Sequence, residues 1–236
     1  MFGSLSNESS LDKQKRGLYI VIEGQDGTGK TTQVQKLYDA ITAEINSSED
    51  TANPGKFTEV MIINEGSHEN SGLVSTDAIG KIIKNRNFGL DNTANVLLFT
   101  AARCELWTKK ILPCLSRNGV VISSRNWWST LAFQSYGAGL DPFYIEKITR
   151  ELLPTRYFKP DLAVILTLDD KERAKRQKMR GLENADQDTF EQQPDSFQSR
   201  VNAGYRKIAT SFEIPMIDTN NSPDAVFEKI CDTLGL

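Results

Sequence analysis

The sequence has few cysteines and no long hydrophobic run. Its three cysteines, Cys104, Cys114 and Cys231, form no CxxC pair, and their odd number argues against a framework of disulfide bonds. This usage predicts reduced thiols and therefore a cytoplasmic location. No apolar segment approaches the roughly 20 residues of a membrane-spanning helix, so we expect no membrane partner.

The sequence also lacks a strong excess of charge. Its 236 residues carry a net charge of −3, and 39% of them are hydrophobic, which is ordinary for a globular protein. Such a balance gives no reason to expect a nucleic-acid partner. Residues 1–16 are polar and have no apolar core, which excludes a secretory signal but leaves a transit peptide open. We predict a flexible extension at residues 1–16 and one domain at residues 17–236.

A glycine-rich turn follows the first apolar run of the domain. Residues 18–22 (LYIVI) read as a strand, and a helical pattern begins near Thr32. Between them stands GQDGTGKT, which matches the GxxxxGK[ST] phosphate loop in its required context. Backbone N–H groups of such a loop surround phosphates, while Lys30 can reach the β- and γ-phosphates and the Thr31 hydroxyl can ligate Mg²⁺. The loop predicts a bound nucleoside triphosphate, with phosphate contacts from Gly24, Asp26, Gly27, Thr28, Gly29, Lys30, Thr31 and Thr32.

Short apolar strands alternate with helical segments along the rest of the chain. This alternation predicts an α/β fold, a P-loop NTPase three-layer α/β/α sandwich with a central parallel sheet. Further strands are expected at residues 60–63, 119–123, 162–168 and 215–218. In such sheets the ligand lies beyond the carboxyl ends of the strands, so we expect one crevice formed by residues 23–31, 64–67 and 124–128 and by Asp169.

Two arginines near this crevice suit phosphate binding. Arg125 directly follows the third strand, and Arg103 lies on the preceding helix. Each planar guanidinium can make two parallel hydrogen bonds to phosphate oxygens. Arg103 shares a helical face with Phe99, four residues earlier, so the two can also stack on and bond to a base. The alternative is that Arg103 is an ordinary surface residue.

An amide side chain adds a candidate for reading the base. Gln134 offers both a donor and an acceptor to the amide edge of a pyrimidine. The alternative is that Gln134 is a polar helix residue that faces solvent.

Several stretches, in this order, resemble the thymidylate kinases, a family of nucleoside-monophosphate kinases. They are residues 23–33 (EGQDGTGKTTQ), 97–103 (LLFTAAR), 124–125, 129–134 (STLAFQ), 159–162 (KPDL), 197–205 (FQSRVNAGY) and 217–219. The resemblance implies transfer of the ATP γ-phosphate to dTMP, giving dTDP, with Mg²⁺ and in a homodimer. The partners expected from it are ATP and a pyrimidine deoxynucleoside monophosphate.

The resemblance also implies roles for individual residues. Lys30, Arg125 and Arg180 would be catalytic, and Asp26 would accept a hydrogen bond from the acceptor's 3′-hydroxyl. A solvated loop charge is the alternative for Asp26. Phe99 would stack on thymine while Arg103 bonds to it. The acceptor site implied in this way comprises Asp26, Glu65, Phe99, Arg103, Arg125, Ser129, Phe133 and Gln134, and the adenine site comprises Arg176, Thr219 and Asn220.

A basic helix is expected at residues 171–180, where six cations accompany only Glu172. Such a run is usually a solvated face. Here it precedes an acidic segment that resembles the family's helical lid, at about residues 177–196. An arginine that arrives when a lid closes neutralises transition-state charge. Arg176 and Arg180 are the candidates, and Arg180 is preferred because Gly181 follows it.

Three positions depart from the family pattern. Ser124 stands where the third strand usually ends in an aspartate that helps to hold Mg²⁺. The loop at residues 64–67 (NEGS) lacks the usual arginine and proline, and Phe133 replaces a tyrosine near the acceptor sugar. These departures keep two alternatives open, a kinase for another pyrimidine monophosphate and a weakly catalytic nucleotide-binding protein.

Overall fold

The computed structural model describes residues 17–47, 57–65, 71–183, 190 and 193–236, and these form an α/β sandwich. All five strands of its sheet pair in parallel, in the order β2-β3-β1-β4-β5. The strands are β1 (Leu18–Gly24), β2 (Val60–Asn64), β3 (Val120–Ser124), β4 (Leu162–Thr167) and β5 (Met216–Asp218). The predicted parallel sheet and its predicted strands are thus confirmed, with ends that differ by one or two residues.

Helices cover both faces of the sheet. They are α1 (Lys30–Ser47), α2 (Val74–Lys84), α3 (Asn92–Leu106), α4 (Leu112–Ser116), α5 (Trp127–Thr130), α6 (Pro142–Leu152), α7 (Thr155–Phe158), α8 (Asp170–Glu183), α9 (Asp195–Ser211) and α10 (Pro223–Leu234). No helix among these described residues has the length and hydrophobicity needed to cross a membrane. The three cysteines are free thiols.

Two hydrophobic cores follow from the alternation of side chains along the central strand. In β1, Tyr19 and Val21 pack into one core, whereas Ile20 and Ile22 pack into the other. The Ile20 side carries α1 and α10, and the Tyr19 side carries α3, α5 and α9. Because the central strands are buried on both faces, they read as continuous apolar runs in the sequence.

Two helical segments widen into π-helix, which the sequence did not predict. The first of them, Trp107–Ile111, lies between α3 and α4. Pro113 follows it and has no N–H to bond to the Lys109 carbonyl, so the regular bonding pattern is interrupted there. The second, Leu131–Gly137, directly follows α5, which begins at Trp127 because the Asn126 side chain accepts a hydrogen bond from the Trp128 N–H at 2.9 Å.

Some predicted features lie outside the described residues. They are the extension at residues 1–16, the loop residues Gly66 and Ser67, and much of the predicted lid. The backbone of Arg180 belongs to α8, but its side chain is not among those described. These predictions stay as they were made.

Candidate active site

The phosphate loop connects the end of β1 to the start of α1. Three of its glycines have positive φ angles, 139° at Gly24, 87° at Gly27 and 88° at Gly29, which other residues rarely adopt. The Lys30 amine donates a hydrogen bond of 2.9 Å to the Gln25 carbonyl and lies 3.7 Å from the Asp26 carboxylate. The loop therefore folds around its own lysine, which is buried.

Arg125 reaches this loop from the end of β3. Its backbone has a φ of 75°, a left-handed conformation that is uncommon outside glycine. One terminal nitrogen, Nη1, donates to the Gly24 carbonyl at 3.0 Å, and the other, Nη2, pairs with the Asp26 carboxylate. Burial favours a neutral guanidine, but the negative charges of Asp26 and Glu23 outweigh it and raise the pKa of Arg125 above its ordinary value. Asp26 is thus an ion-pair partner, and the alternative of a merely solvated loop charge is wrong.

Glu23 is a buried residue of the site for which the sequence suggested no individual role. Its buried carboxylate accepts hydrogen bonds from the backbone N–H groups of Gly24 at 3.1 Å, Asn126 at 2.7 Å and Ser129 at 3.1 Å. The hydroxyls of Ser129 and Tyr205 donate to the same carboxylate at 2.8 Å and 3.0 Å. The available signal was a charged residue at the end of an apolar strand, directly before Gly24.

A second buried charge network lies beside the first. The Arg103 Nε donates to a Glu65 carboxylate oxygen at 2.9 Å, and its Nη2 donates to the Asn126 carbonyl at 3.1 Å. Its guanidinium lies 5.6 Å from the centre of the Phe99 ring, as the helical spacing predicted. Arg103 is only 2% exposed, so the surface-residue alternative is wrong. Tyr157, which the sequence did not single out, donates to the same Glu65 oxygen at 2.6 Å.

Burial controls the titration of Glu65. Its other carboxylate oxygen, Oε1, is buried and has no hydrogen-bond partner among the described residues, and the same holds for Nη1 of Arg103. Burial raises the pKa of Glu65 from 4.5 to about 7, although the charge of Arg103 and the hydrogen bond from Tyr157 act in the opposite direction. Glu65 Oε1 can therefore still accept a hydrogen bond, and Arg103 Nη1 can still donate one, to a ligand or to water.

Replacing Glu65 by glutamine is expected to remove a pH dependence of the free energy of unfolding. The pKa of Glu65 is higher in the folded than in the unfolded protein, so its stabilising contribution is fully present below about pH 4.5 and is lost as the pH rises through 7. Relative to the variant, the wild-type protein should lose about 1–3 kcal/mol between about pH 5 and about pH 8. Urea titrations at both pH values measure this, with Glu146→Gln, a more exposed carboxylate on α6, as the control. Equal pH slopes for wild type and Glu65→Gln would contradict the prediction.

Aromatic rings surround a cavity next to Arg125. The Arg125 guanidinium lies 5.5 Å from the centre of the Phe133 ring. Phe190 lies against both Phe133 and Phe99, with ring centres 5.8 Å and 6.2 Å apart. Phe133 and Phe190 help to line a cavity of about 250 Å³ together with Asn92, Gly137, Ala138, Gln193, Phe197 and Arg200. Gln134 is 2% exposed, so the alternative of a solvent-facing side chain is wrong.

The predicted adenine residues lie on the opposite side of β1, beyond β4. Arg176 donates a hydrogen bond of 2.9 Å to the Thr219 carbonyl, which joins α8 to the end of β5. Thr219 is buried and its hydroxyl donates to the Thr167 carbonyl at 3.0 Å, while Asn220 is exposed. The structure therefore brings Arg176 and Thr219 together, and their contact with adenine stays a prediction.

Two hydroxyl side chains at the site could offer an oxygen to Mg²⁺. Thr31 is exposed at the start of α1, and Ser124 ends β3. No group of three or more potential acidic, histidine or cysteine ligands occurs in the part of the chain that the structure describes. Mg²⁺ keeps several waters and takes substrate phosphate oxygens, so a sparse set of protein oxygens fits this ion.

Comparisons with known proteins point to one family. A family model described as Thymidylate kinase matches residues 22–230. A thymidylate kinase of Gluconobacter oxydans is 30% identical over 213 residues, which cover 89% of this chain and 91% of that protein. One of Chlorobium phaeobacteroides is 32% identical over 227 residues, with coverage of 92% and 94%.

A solved structure shares the fold. The crystal structure of thymidylate kinase from Ehrlichia chaffeensis matches with a TM-score of 0.67 and 24% sequence identity, over 93% of this chain and 99% of that chain. This match extends the shared architecture to nearly the whole molecule, and the family model covers the end of β1, the other four strands and the phosphate loop. The chain therefore belongs to the thymidylate kinase family.

Proposed function

We propose that this protein transfers the γ-phosphoryl group of ATP to dTMP, which gives dTDP and ADP. The observation that carries the proposal is the contact between Arg125 and Asp26. Asp26 belongs to the phosphate loop, where ATP would bind, and Arg125 lies over Phe133 in the predicted acceptor pocket. The two phosphate-binding regions therefore meet at one arginine.

The chemistry needs positioning and charge neutralisation more than covalent catalysis. An oxygen of the dTMP phosphate forms a bond to the γ-phosphorus while the bond from that phosphorus to the β-phosphate oxygen breaks, and ADP leaves. A phosphate monoester has a second pKa near about 6, so at neutral pH the attacking oxygen needs no general base. Lys30 and the loop N–H groups would hold the ATP phosphates, and Arg125 would hold the acceptor phosphate.

Mg²⁺ would be held by Thr31 together with the ATP phosphates. When bound, the ion neutralises charge on those phosphates. Ser124, where the family has an aspartate, can supply an oxygen but no negative charge. Its hydroxyl would act directly or through a metal-bound water.

The acceptor pocket combines stacking with hydrogen bonding. Phe99 offers a face for the base, and Arg103 and Gln134 offer polar atoms to its edge. Phe133 would form an apolar wall beside the sugar, where a 2′-hydroxyl would lose its hydration without gaining a partner. These features favour a pyrimidine deoxynucleotide.

The proposal is tested by ADP formation from ATP and Mg²⁺ with dTMP, dUMP, UMP and CMP as separate acceptors. The expected result is the highest kcat/KM with dTMP, and a fall of about 10²–10³-fold in that value for Arg125→Ala. A higher kcat/KM with dUMP, UMP or CMP would make the protein a kinase for that pyrimidine monophosphate instead. Binding of ATP without any acceptor-dependent turnover would overturn the kinase and favour a weakly catalytic nucleotide-binding protein.

The family resemblance suggests a homodimer, and the cysteine usage suggests a cytoplasmic location. Both stay predictions. The lid at about residues 177–196 and the role of Arg180 also stay predictions. Light scattering of the purified protein measures the oligomeric state directly.

A further inference from the structure

We propose that Tyr205, on α9, is a positioning residue that aims the Arg125 guanidinium, acting together with Glu23 and Ser129. The proposal rests on the proposed function, because Arg125 is there the ligand of the acceptor phosphate. Tyr205 is 80 residues away from Arg125 in the sequence, and its ring packs in the core beneath the crevice.

Three oxygens hold one end of the guanidinium. Nη1 of Arg125 lies within hydrogen-bond distance of the Tyr205 hydroxyl at 3.1 Å, the Ser129 hydroxyl at 3.0 Å and the Gly24 carbonyl at 3.0 Å. Because this nitrogen has two hydrogens, one of them is shared between two of the three acceptors. Nη2 has a different environment and pairs with the partly exposed carboxylate of Asp26. The Nη1 end is thus anchored by neutral oxygens in the interior, while the Nη2 end faces the phosphate loop.

Glu23 determines which way the two hydroxyls point. A carboxylate can only accept hydrogen bonds, and each hydroxyl has one hydrogen to donate. Ser129 and Tyr205 both lie within hydrogen-bond distance of the same Glu23 oxygen, at 2.8 Å and 3.0 Å. Once their hydrogens point to Glu23, their lone pairs are left for Arg125. Burial and the charge of Glu23 raise the pKa of Tyr205 well above its ordinary value, so its hydroxyl keeps the hydrogen that this arrangement needs.

The backbone of Arg125 makes such an anchor necessary. A non-glycine residue at a φ of 75° is strained by about 1–2 kcal/mol and persists only where its surroundings impose it. The Arg125 N–H donates to the Ile22 carbonyl at 3.1 Å, and its carbonyl accepts from the Ser123 hydroxyl at 2.8 Å. These bonds fix the backbone, and the Glu23–Ser129–Tyr205 cluster fixes the far end of the same side chain. A displacement of about 1 Å at a substrate-positioning group can cost roughly 10²-fold in rate.

The test is a double-mutant cycle of Tyr205→Phe and Arg125→Ala, measured as kcat and KM with ATP and dTMP. Tyr205→Phe keeps the ring in the core and removes only the hydroxyl. It is expected to lower kcat about 10- to 100-fold and to leave KM for ATP unchanged. In the Arg125→Ala background the same substitution should change kcat by less than about 2-fold, because the group through which Tyr205 acts is gone. Tyr19→Phe, an equally buried tyrosine of β1, is the matched control and should leave kcat unchanged.

The outcomes separate this proposal from the kinase assignment. If the wild-type protein shows no acceptor-dependent turnover, the proposed function fails and the cycle has no basis. If the wild type is active and Arg125→Ala is much slower, then wild-type kcat in Tyr205→Phe, or an effect that adds fully to that of Arg125→Ala, overturns the positioning role alone. If Tyr205→Phe does not fold, Glu23→Gln replaces it in the cycle, and the same non-additivity is expected. The amide keeps the shape, but its single acceptor oxygen cannot serve both the two hydroxyls and the backbone N–H groups of Asn126 and Ser129.

Discussion

Replacing Lys30 by methionine is expected to lower kcat with ATP and dTMP by about 10²–10³-fold and to weaken ATP binding. Methionine keeps most of the apolar stem and removes the ammonium group, which lies within the loop, 2.9 Å from the Gln25 carbonyl and 3.7 Å from the Asp26 carboxylate. In a buried setting this positive charge is screened little by water, so its interaction with transferred phosphate is strong. Steady-state ADP formation measures kcat, and a fluorescent ATP analogue measures binding.

The chain supplies a matched control for this substitution. Lys36 lies on the same helix, six residues further on, and pairs with Asp224 of α10 away from the loop. Lys36→Met should therefore leave kcat and ATP binding unchanged while removing the same charge from the same helix. Equal activity of Lys30→Met and wild type would contradict the assignment of the loop as the ATP phosphate site.

The parts of the site that sequence reasoning identified are those whose chemistry is local. The phosphate loop has its glycines, Lys30 and Thr31 within eight consecutive residues, so the local sequence alone is enough to predict its geometry. The stacking partner of Arg103 is found four residues earlier for the same reason, since one helical turn brings Phe99 beside it. The parallel sheet was predictable because strands that are buried on both faces must be apolar throughout.

The partners of the buried charges could not be found in this way. Glu23 and Tyr205 are 182 residues apart, and Glu65 and Tyr157 are 92 apart, yet each pair shares a hydrogen bond. A tyrosine inside a helix reads as an ordinary core residue until the fold shows what its hydroxyl touches. The same holds for Gln25, whose amide bonds to Gln198 at 2.7 Å across 173 residues of chain. Long-range polar pairing is thus the part of the site that only the tertiary structure reveals.

Replacing Gly24 by alanine is expected to lower the free energy of unfolding by about 3–5 kcal/mol, or to prevent folding. Two costs add, the positive φ of 139° and a steric clash, which are worth about 1–3 kcal/mol each or more. A methyl group here would clash with the carbonyl oxygen of Leu166 and would lie 3.0 Å from the Thr28 hydroxyl oxygen. Leu166 is the residue paired with Gly24 in the sheet, so its carbonyl cannot move without breaking the pairing of β1 with β4.

A substitution at a second glycine distinguishes the cost of the positive φ from the cost of the steric clash. Gly139 also has a positive φ, of 88°, but no atom of the part of the chain that the structure describes lies within 4 Å of the position that a Cβ would occupy. Gly139→Ala should therefore show only the backbone cost, about 1–2 kcal/mol. Urea unfolding followed by circular dichroism measures both variants. If Gly24→Ala is no less stable than Gly139→Ala, the close approach of β4 to the phosphate loop does not hold. If it is much less stable, glycine is required there both by the turn and by the neighbouring strand, so the loop that would bind phosphate is held in place by the central pairing of the sheet.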